Sequence, residues 1–402
     1  VNIEIKRGCA RGCITAPPSK SMAHRLLICA AMCEEESVVR GISSCEDVLA
    51  TLDCMRALQI DFTRNGDDVT VHGKLPRDMI PNAPLCCRES GSTLRFMLPI
   101  AMMSGQTAVF YADEGLMARP MSVYETLFHD AELTYINDKK SIVVKGPLRG
   151  GVYTVAGNVS SQFISGLLFA LPTAEEDSVL HVIPPIESRS YIELTRSALA
   201  AFGIVTEWTD EYTLHIPGRQ RFCAADITVE GDYSNAAFPE ALNLFGGEVE
   251  VRGLREDSLQ GDRVYKKHFD LLSLGVPTIH IADCPDLGPI LFATAAAKNG
   301  GIFTGTRRLR IKESDRAAAM AEELKKFGCS VSVYEDTVVI YPADFHAPTD
   351  VLFAHNDHRI VMALSVLLTL TGGVIRGAEA VQKSYPDFFG HLRALGIEVT
   401  EI

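Results

Sequence analysis

SKSMAHRLLICAAM (19–32), SGSTLRFMLPIAMM (90–103), SSQFISGLLFALP (160–172), YSNAAFPEALNLFGG (233–247), PDLGPILFATAAAKNGG (285–301) and NDHRIVMALSVLLTLTGG (356–373) are six versions of one segment. Each opens on small polar or acidic residues, which cap helices, and runs into an apolar stretch too continuous for a surface helix. Their start-to-start spacings are 71, 70, 73, 52 and 71 residues. A period this long and this regular marks a repeat architecture and has to be read before any single motif. Gly-Gly ends three of the segments, as expected where a helix terminates in a left-handed residue.

Working outward, each segment leads into a β-branched run: SVVRG (37–41), TAVFY (107–111), SVLHV (178–182), EVEVRG (248–253), GIFTG (301–305) and GVIRG (373–377). A second, amphipathic helix follows, with a shared leucine/glycine ending such as LAAFGI (199–204), LKKFGC (324–329) or LRALGI (392–397). Short alternating stretches, among them DDVTVHG (67–73), KSIVVKG (140–146) and TVVIYP (337–342), read as antiparallel hairpin strands. The unit is therefore βαβαββ and the chain an α/β protein of six such units. No GxGxxG or GxxxxGK[ST] is present, so nucleotide binding has no motif behind it. Six units form either one ring or two groups of three, and the pattern alone does not choose.

Composition narrows the function classes. With 51 acidic against 38 basic side chains the 402-residue chain carries a net charge of −13, which argues against nucleic acid as a partner. The longest apolar stretch, 360–370, is about half of the roughly 20 residues a membrane span requires, and predicts a buried helix. The first residues lack the apolar core of a signal peptide. Eleven cysteines without a CxxC read as buried or incidental thiols of a reducing cytosol, and with no HExxH or paired histidines a metal site is not expected.

What remains is charge placed locally. Helix N-termini carry unpaired N–H groups and partial positive charge. The repeat sets cations on seven of its helix starts or beside them: Lys20, Arg25, Arg95, Arg119, Arg189, Lys312, Arg316, Arg359 and Lys383. One such cluster is ordinary capping, but recurrence at equivalent points predicts a convergent anion site. Among the carboxylates, Asp315 and Asp357 are expected to orient the neighbouring basic groups. Asp286 and Glu313 open helices beside apolar faces, a setting that suits acid–base work.

The motifs PSKSMAHR, SGSTLRF, ARPM, SSQFISGLL, GDYSNAAF, LRIKESDR, NDHRIVMAL and KSYPDFF, in this order from about Ala16 to Leu395, closely resemble the 5-enolpyruvylshikimate-3-phosphate (EPSP) synthase family. The resemblance implies two domains of three βαβαββ units each, 1–18 plus 231–402 and 19–230, around an interdomain cleft. It implies transfer of the enolpyruvyl group of phosphoenolpyruvate to the 5-hydroxyl of shikimate 3-phosphate, with loss of phosphate, on the shikimate pathway to chorismate. It implies a cytoplasmic, typically monomeric enzyme without metal or organic cofactor, whose partners are those two small molecules. Carried over by motif, Lys20, Ser21, Arg25, Ser160, Ser161, Gln162, Ser188, Asp286 and Lys312 would meet shikimate 3-phosphate. Lys20, Gly91, Arg119, Gln162, Arg316, Arg359 and Lys383 would meet phosphoenolpyruvate. Asp286 would be the base at the 5-hydroxyl and Glu313 the proton donor to the methylene carbon, with Lys20, Lys312 and His358 sharing proton traffic.

Two positions depart from the family pattern: Glu89-Ser90-Gly91-Ser92 stands where Asn-Ala-Gly-Thr is common, and Arg308 stands where Asn is frequent. Gly91 is kept, and in this family a glycine there leaves room for glyphosate. Two other readings compete. The sister transferase acting on UDP-N-acetylglucosamine carries a Lys-Asn pair and a loop cysteine, where this chain has Lys20-Ser21 and ADEGLMARP (112–120). A non-catalytic phospho-metabolite-binding protein has no need of Asp286, Glu313 and Lys20 together.

Overall fold

The computed structural model describes residues 1–402, and in it five of the six polar repeat starts become helix caps, the start of the helix Gly288–Ala297 being the exception. Ser19 Oγ accepts from Met22 N at 3.4 Å, Ser90 Oγ from Thr93 N at 3.2 Å, and Ser160 Oγ from Gln162 N at 3.3 Å. Asp232 and Asp357 do the same for Asn235 N and Arg359 N, at 2.8 and 2.9 Å. Each cap satisfies a donor that an apolar surrounding would otherwise leave unpaired.

The helices in chain order are α1 (Lys20–Ala31), α2 (Glu46–Ala57), α3 (Gly91–Met102), the single turn α4 (Glu114–Met117), α5 (Ser122–Asp130), α6 (Ser161–Ala170), α7 (Arg189–Ala201), α8 (Tyr233–Ala241), α9 (Tyr265–Leu274), α10 (Gly288–Ala297), α11 (Arg316–Lys326), α12 (His358–Thr371) and α13 (Phe388–Ala394). The chain forms two compact units, Val1–Pro17 with Gly231–Ile402, and Pro18–Glu230. It passes between them at Pro17–Pro18 and again at Glu230–Gly231.

In the Pro18–Glu230 unit three four-stranded sheets share one topology. One runs Val152–Ala156, Ser178–Ile183, Thr213–Ile216, Glu207–Trp208, the first pair parallel and the rest antiparallel. A second runs Leu85–Cys86, Thr107–Tyr111, Ser141–Lys145, Thr134–Asn137 in the same sense. In the third the leading strand is Asp226–Thr228, parallel to Ser37–Arg40, so the last strand of the unit completes its first repeat. Helices α1, α3 and α6 fill the core. All residues of α3 but Ser92 are buried, which is why its apolar run shows no polar face. The second helices are amphipathic: α7 buries only Ile192, Leu194, Thr195, Ala198 and Leu199.

The other unit repeats the plan with one deletion. Thr278–His280, Gly301–Thr304, Thr337–Ile340 and Val331–Val333 form one complete sheet. In another, Leu352–Phe353 and Gly373–Arg376 are completed by Asn2–Ile5 and Val399–Glu401. The repeat built on α8 keeps only two parallel strands, Glu248–Arg252 and Arg11–Thr15, and has no terminal hairpin. The six units are therefore not identical, and the missing hairpin accounts for the short spacing of 52 between Tyr233 and Pro285. The glycines after α8, α10 and α12 adopt φ of 87°, 84° and 78° at Gly246, Gly300 and Gly372, the left-handed ends that the Gly-Gly pairs predict.

Gly73 marks how tightly the hairpins cross the helix ends. A Cβ there would collide with the carbonyl oxygens of Ala30, Ala31 and Cys33, lying 2.5 Å from the first. All are backbone atoms at the end of α1 and cannot swing aside. Gly73→Ala is expected to lower unfolding stability by about 3 kcal/mol, read as a shift of the urea midpoint at constant slope. An unshifted midpoint would show that the hairpin end is free to move.

Candidate active site

In the Pro18–Glu230 unit the starts of α3 and α6 meet. Arg95 Nη1 donates to Gln162 Oε1 at 2.6 Å, and Gln162 Nε2 donates to Ser92 Oγ at 3.0 Å. The glutamine is thereby fixed in its amide orientation by one acceptor and one donor contact. Gly91 sits among these groups: a Cβ on it would lie 3.0 Å from Arg95 Nη1, 3.4 Å from Arg119 Nη1 and 3.5 Å from Gln162 Oε1. So Gly91, Arg119 and Gln162, all expected at the phosphoenolpyruvate site, are brought together, with Arg95 as a fourth member.

Lys20, at the first turn of α1, pairs with Asp47 of α2 at 2.7 Å, both side chains mostly covered. Arg25, one turn on, is 2% exposed and donates to Thr195 Oγ1 (2.9 Å), Ser21 O (2.7 Å) and Tyr191 O (3.0 Å). Burial pulls its guanidinium down to about 10, still charged at neutral pH. Its plane lies over Phe96, with 5.1 Å to the ring centroid. Ser160 and Ser161 open α6, and Ser188, φ 56°, immediately precedes α7. Arg189 does not join the cations: it lies over Trp208 at 4.1 Å and donates to Glu211 O at 2.9 Å. That expectation is corrected, because Trp208 on the short strand Glu207–Trp208 offers the guanidinium an aromatic partner of its own.

In the other unit one arginine gathers three carboxylates. Arg316, 1% exposed, donates from Nε to Asp357 Oδ2 (2.8 Å), from Nη1 to Asp286 Oδ1 (2.7 Å) and from Nη2 to Glu313 Oε2 (2.6 Å). Asp286 is further approached by Lys312 Nζ and by Arg359 Nη2, each at 3.4 Å. Asp357 also accepts from Ser314 Oγ at 3.0 Å while capping α12. Burial opposes the charge on Arg316, but the carboxylates of Asp357, Glu313 and Asp286 outweigh it and hold the guanidinium well above its ordinary value. Burial draws Lys312 below the usual lysine range, with Asp286 opposing and Arg308 and Arg316 reinforcing the shift.

Asp357 orients a basic group as expected, whereas Asp315 does not. Asp315 is exposed and caps α11, accepting from Ala318 N at 3.0 Å. Lys383 Nζ donates to Asn356 O at 2.6 Å, and His358 is buried at the first turn of α12. Arg308 is buried in the 3₁₀ turn Arg307–Ile311, with Ala282 O 3.5 Å from Nη1. Three participants have no assigned role in the sequence reading. Asn235 of α8 accepts from Arg359 Nη1 at 3.2 Å and donates to Ser384 O at 3.3 Å. Asp47 holds Lys20, and Thr195 holds Arg25. Asn235 stands inside the quoted motif GDYSNAAF, so a polar residue turned inward on an apolar helix was the available signal. Asp47 had none, since acidic residues in a first helical turn are ordinary dipole partners.

The family model described as EPSP synthase (3-phosphoshikimate 1-carboxyvinyltransferase) matches residues 6–392. The chain belongs to the EPSP synthase family. Among its relatives, the 3-phosphoshikimate 1-carboxyvinyltransferase of Clostridium kluyveri is 35% identical over 97% of this chain and 96% of the relative. That of Clostridium acetobutylicum is 36% identical over 99% and 98%. The fold matches the EPSP synthase of Acinetobacter baumannii with a TM-score of 0.79 at 24% identity, over the full length of both chains. It also matches the enolpyruvyl transferase NikO of Streptomyces tendae, TM-score 0.78 at 15% identity, over 99% of this chain and 98% of that one. No helix of this EPSP synthase family member is long and apolar enough to cross a membrane.

Proposed function

We propose that the chain is a 3-phosphoshikimate 1-carboxyvinyltransferase whose cationic helix starts hold the two anionic substrates while Asp286 and Glu313 move protons. The observation that carries this is the Arg316 cluster: a buried guanidinium forked to three carboxylates, with Lys312 and Arg359 on the same aspartate. A merely structural ion pair needs one partner. Here two of the three carboxylates keep some solvent contact, Asp286 at 21% and Glu313 at 17%, whereas Asp357 has none. Asp357 is the fixed anchor and the other two are the exchangeable ones.

The chemistry follows from that division. Phosphoenolpyruvate brings anionic groups that compete with Glu313 for Arg316, and Arg359 and Lys383 add to the pull. Glu313, released, takes up a proton and delivers it to the methylene carbon. Asp286 accepts the proton of the 5-hydroxyl as its oxygen bonds to the now electrophilic carbon, giving a tetrahedral ketal. Elimination breaks the carbon–phosphate oxygen bond, returns a methyl proton to the protein and restores the enol ether. The cations that held the substrate phosphate stabilise it as it leaves. In the other unit Lys20, Ser21, Arg25, Ser160, Ser161, Gln162 and Ser188 serve shikimate 3-phosphate, with Gly91 and Arg119 serving phosphoenolpyruvate.

Release of inorganic phosphate from phosphoenolpyruvate tests the reading. It is expected with shikimate 3-phosphate and not with UDP-N-acetylglucosamine. Release only with the sugar nucleotide, or with neither, overturns it.

Glyphosate is expected to inhibit in competition with phosphoenolpyruvate, and Gly91 decides how well. An alanine Cβ would press on the tips of Arg95 and Arg119, which are flexible ends and move at little cost to stability. Moving them takes the cations off the bound anion. Gly91→Ala is expected to weaken glyphosate by roughly 10–200-fold, the range for one added methyl in a tight site. The KM for phosphoenolpyruvate should rise less, and an unchanged glyphosate inhibition constant would defeat the steric account.

A further inference from the structure

Helix α11 carries Arg316 at its start and Glu323 seven residues later, two turns along the same face. Both residues grip one short segment of chain. Arg316 holds Asp357, while Glu323 accepts from Phe353 N at 3.0 Å and from His355 Nε2 at 2.9 Å. Glu323 is fully buried and saturated: Lys326 Nζ donates to both its oxygens, at 3.0 and 2.8 Å, and to Val351 O at 3.1 Å. A carboxylate bonded this completely has one position.

Between the two grips lie His355 and Asn356, with φ of 51° and 54°. Left-handed backbone strains a non-glycine residue, and asparagine bears it more readily than a bulky histidine. Two such residues in a row persist only where their surroundings over-determine them. Here the imidazole is tied to Glu323, and the turn ends with Asp357 N on Ala354 O at 3.0 Å. The turn delivers two groups to the site: the Asn356 carbonyl, which receives Lys383 Nζ, and the Asp357 carboxylate, which receives Arg316.

We propose that Glu323 and His355 are positioning residues for phosphoenolpyruvate binding, holding the left-handed turn that sets Lys383 and Arg316 in place. The role rests on the reading of Arg316, Arg359 and Lys383 as phosphoenolpyruvate ligands. Neither residue touches substrate in this account.

A pH dependence follows from the same contact. The hydrogen bond to Glu323 raises His355 above its ordinary value of 6.5; burial opposes this, Glu322 adds to it and Lys326 subtracts. A group whose value is raised by the fold contributes fully below its ordinary value and loses that contribution as pH climbs through the raised one. The charged tether therefore fades on the alkaline side.

Steady-state phosphate release, with each substrate varied from pH 6 to 9, tests the proposal in wild type and in Glu323→Gln, His355→Gly and His355→Gln. Glycine relieves the backbone strain and removes the tether; glutamine keeps a neutral donor. At pH 7 the first two variants are expected to raise the KM for phosphoenolpyruvate about tenfold, with kcat within about threefold and the KM for shikimate 3-phosphate unchanged. His355→Gln should lie between them and wild type, and its KM relative to wild type should converge as pH rises. Melting temperature separates positioning from folding: His355→Gly is expected to melt no lower than His355→Gln. A wild-type protein without turnover overturns the functional reading, and this role with it. An active wild type whose variants keep its phosphoenolpyruvate KM, or lose only kcat and melting temperature, overturns the positioning role while the functional reading stands.

Discussion

Replacing Arg316 by methionine is expected to remove activity and stability together. The guanidinium is 1% exposed and forked to Asp357, Asp286 and Glu313 at 2.6–2.8 Å, and Asp357 is itself completely buried. Methionine fills much of the volume but leaves Asp357 with only Ser314 Oγ and the Arg359 N–H in place of a full counter-charge. Breaking a buried pair by deleting one partner costs about 3–5 kcal/mol, because the remaining charge is left in a poor solvent. The lost cation is also the hub of the proposed phosphoenolpyruvate site, so kcat/KM should fall by about a thousandfold or more. Arg316→Lys separates the two effects. An ammonium restores charge but cannot reach three carboxylates in one plane. It should recover most of the stability while the KM for phosphoenolpyruvate stays high. Denaturant unfolding and phosphate release on the same preparations give both numbers. A methionine variant with wild-type stability and wild-type phosphoenolpyruvate KM would refute the hub role.

The charge that matters here could not be found in the net charge of −13. Lys20, Arg316 and Lys383 are spread along the chain, and only the period of the repeat showed that their neighbourhoods are equivalent. That period was legible because each capped helix is buried, so its apolar run and polar start are both enforced. The deleted hairpin left a trace too, as the one spacing of 52. Strand borrowing left none. Asn2–Ile5 completes a sheet with Gly373–Arg376, and Asp226–Thr228 one with Ser37–Arg40, pairings that bring residues hundreds of positions apart into register. Local alternation says that a segment is a strand, not which edge it will join. The same limit governs the site. Motif resemblance pointed to Asp286, Glu313 and Arg316 separately, but that one arginine binds both exchangeable carboxylates is a fact of packing. So is the role of His355, whose importance lies in a backbone conformation that its side-chain type does not announce.

That shared arginine decides what Glu313→Gln should do. The amide has the same shape and keeps an oxygen for Arg316 Nη2, so the cluster retains Asp286 and Asp357 as its negative charges. Folding stability is expected to change by less than about 1 kcal/mol. Binding should hold or tighten, since a neutral amide competes with phosphoenolpyruvate for the guanidinium less than a carboxylate does. What the amide cannot do is carry a proton to carbon. Loss of a positioned general acid costs about 10²–10⁴-fold, and the loss should fall on kcat. The sharper reading comes from isotope exchange. In deuterated water the parent is expected to place deuterium in the methylene group during reversible addition, because the methyl of the ketal loses a hydrogen on the way back. Glu313→Gln should lose that exchange in proportion to kcat. Arg316→Met, by contrast, should lose phosphoenolpyruvate binding first and exchange only as a consequence, recovering part of it at high substrate. If Glu313→Gln keeps both turnover and deuterium incorporation, the proton reaches carbon from another group. Lys312, already drawn below the usual lysine range and 3.4 Å from Asp286, is then the next to substitute.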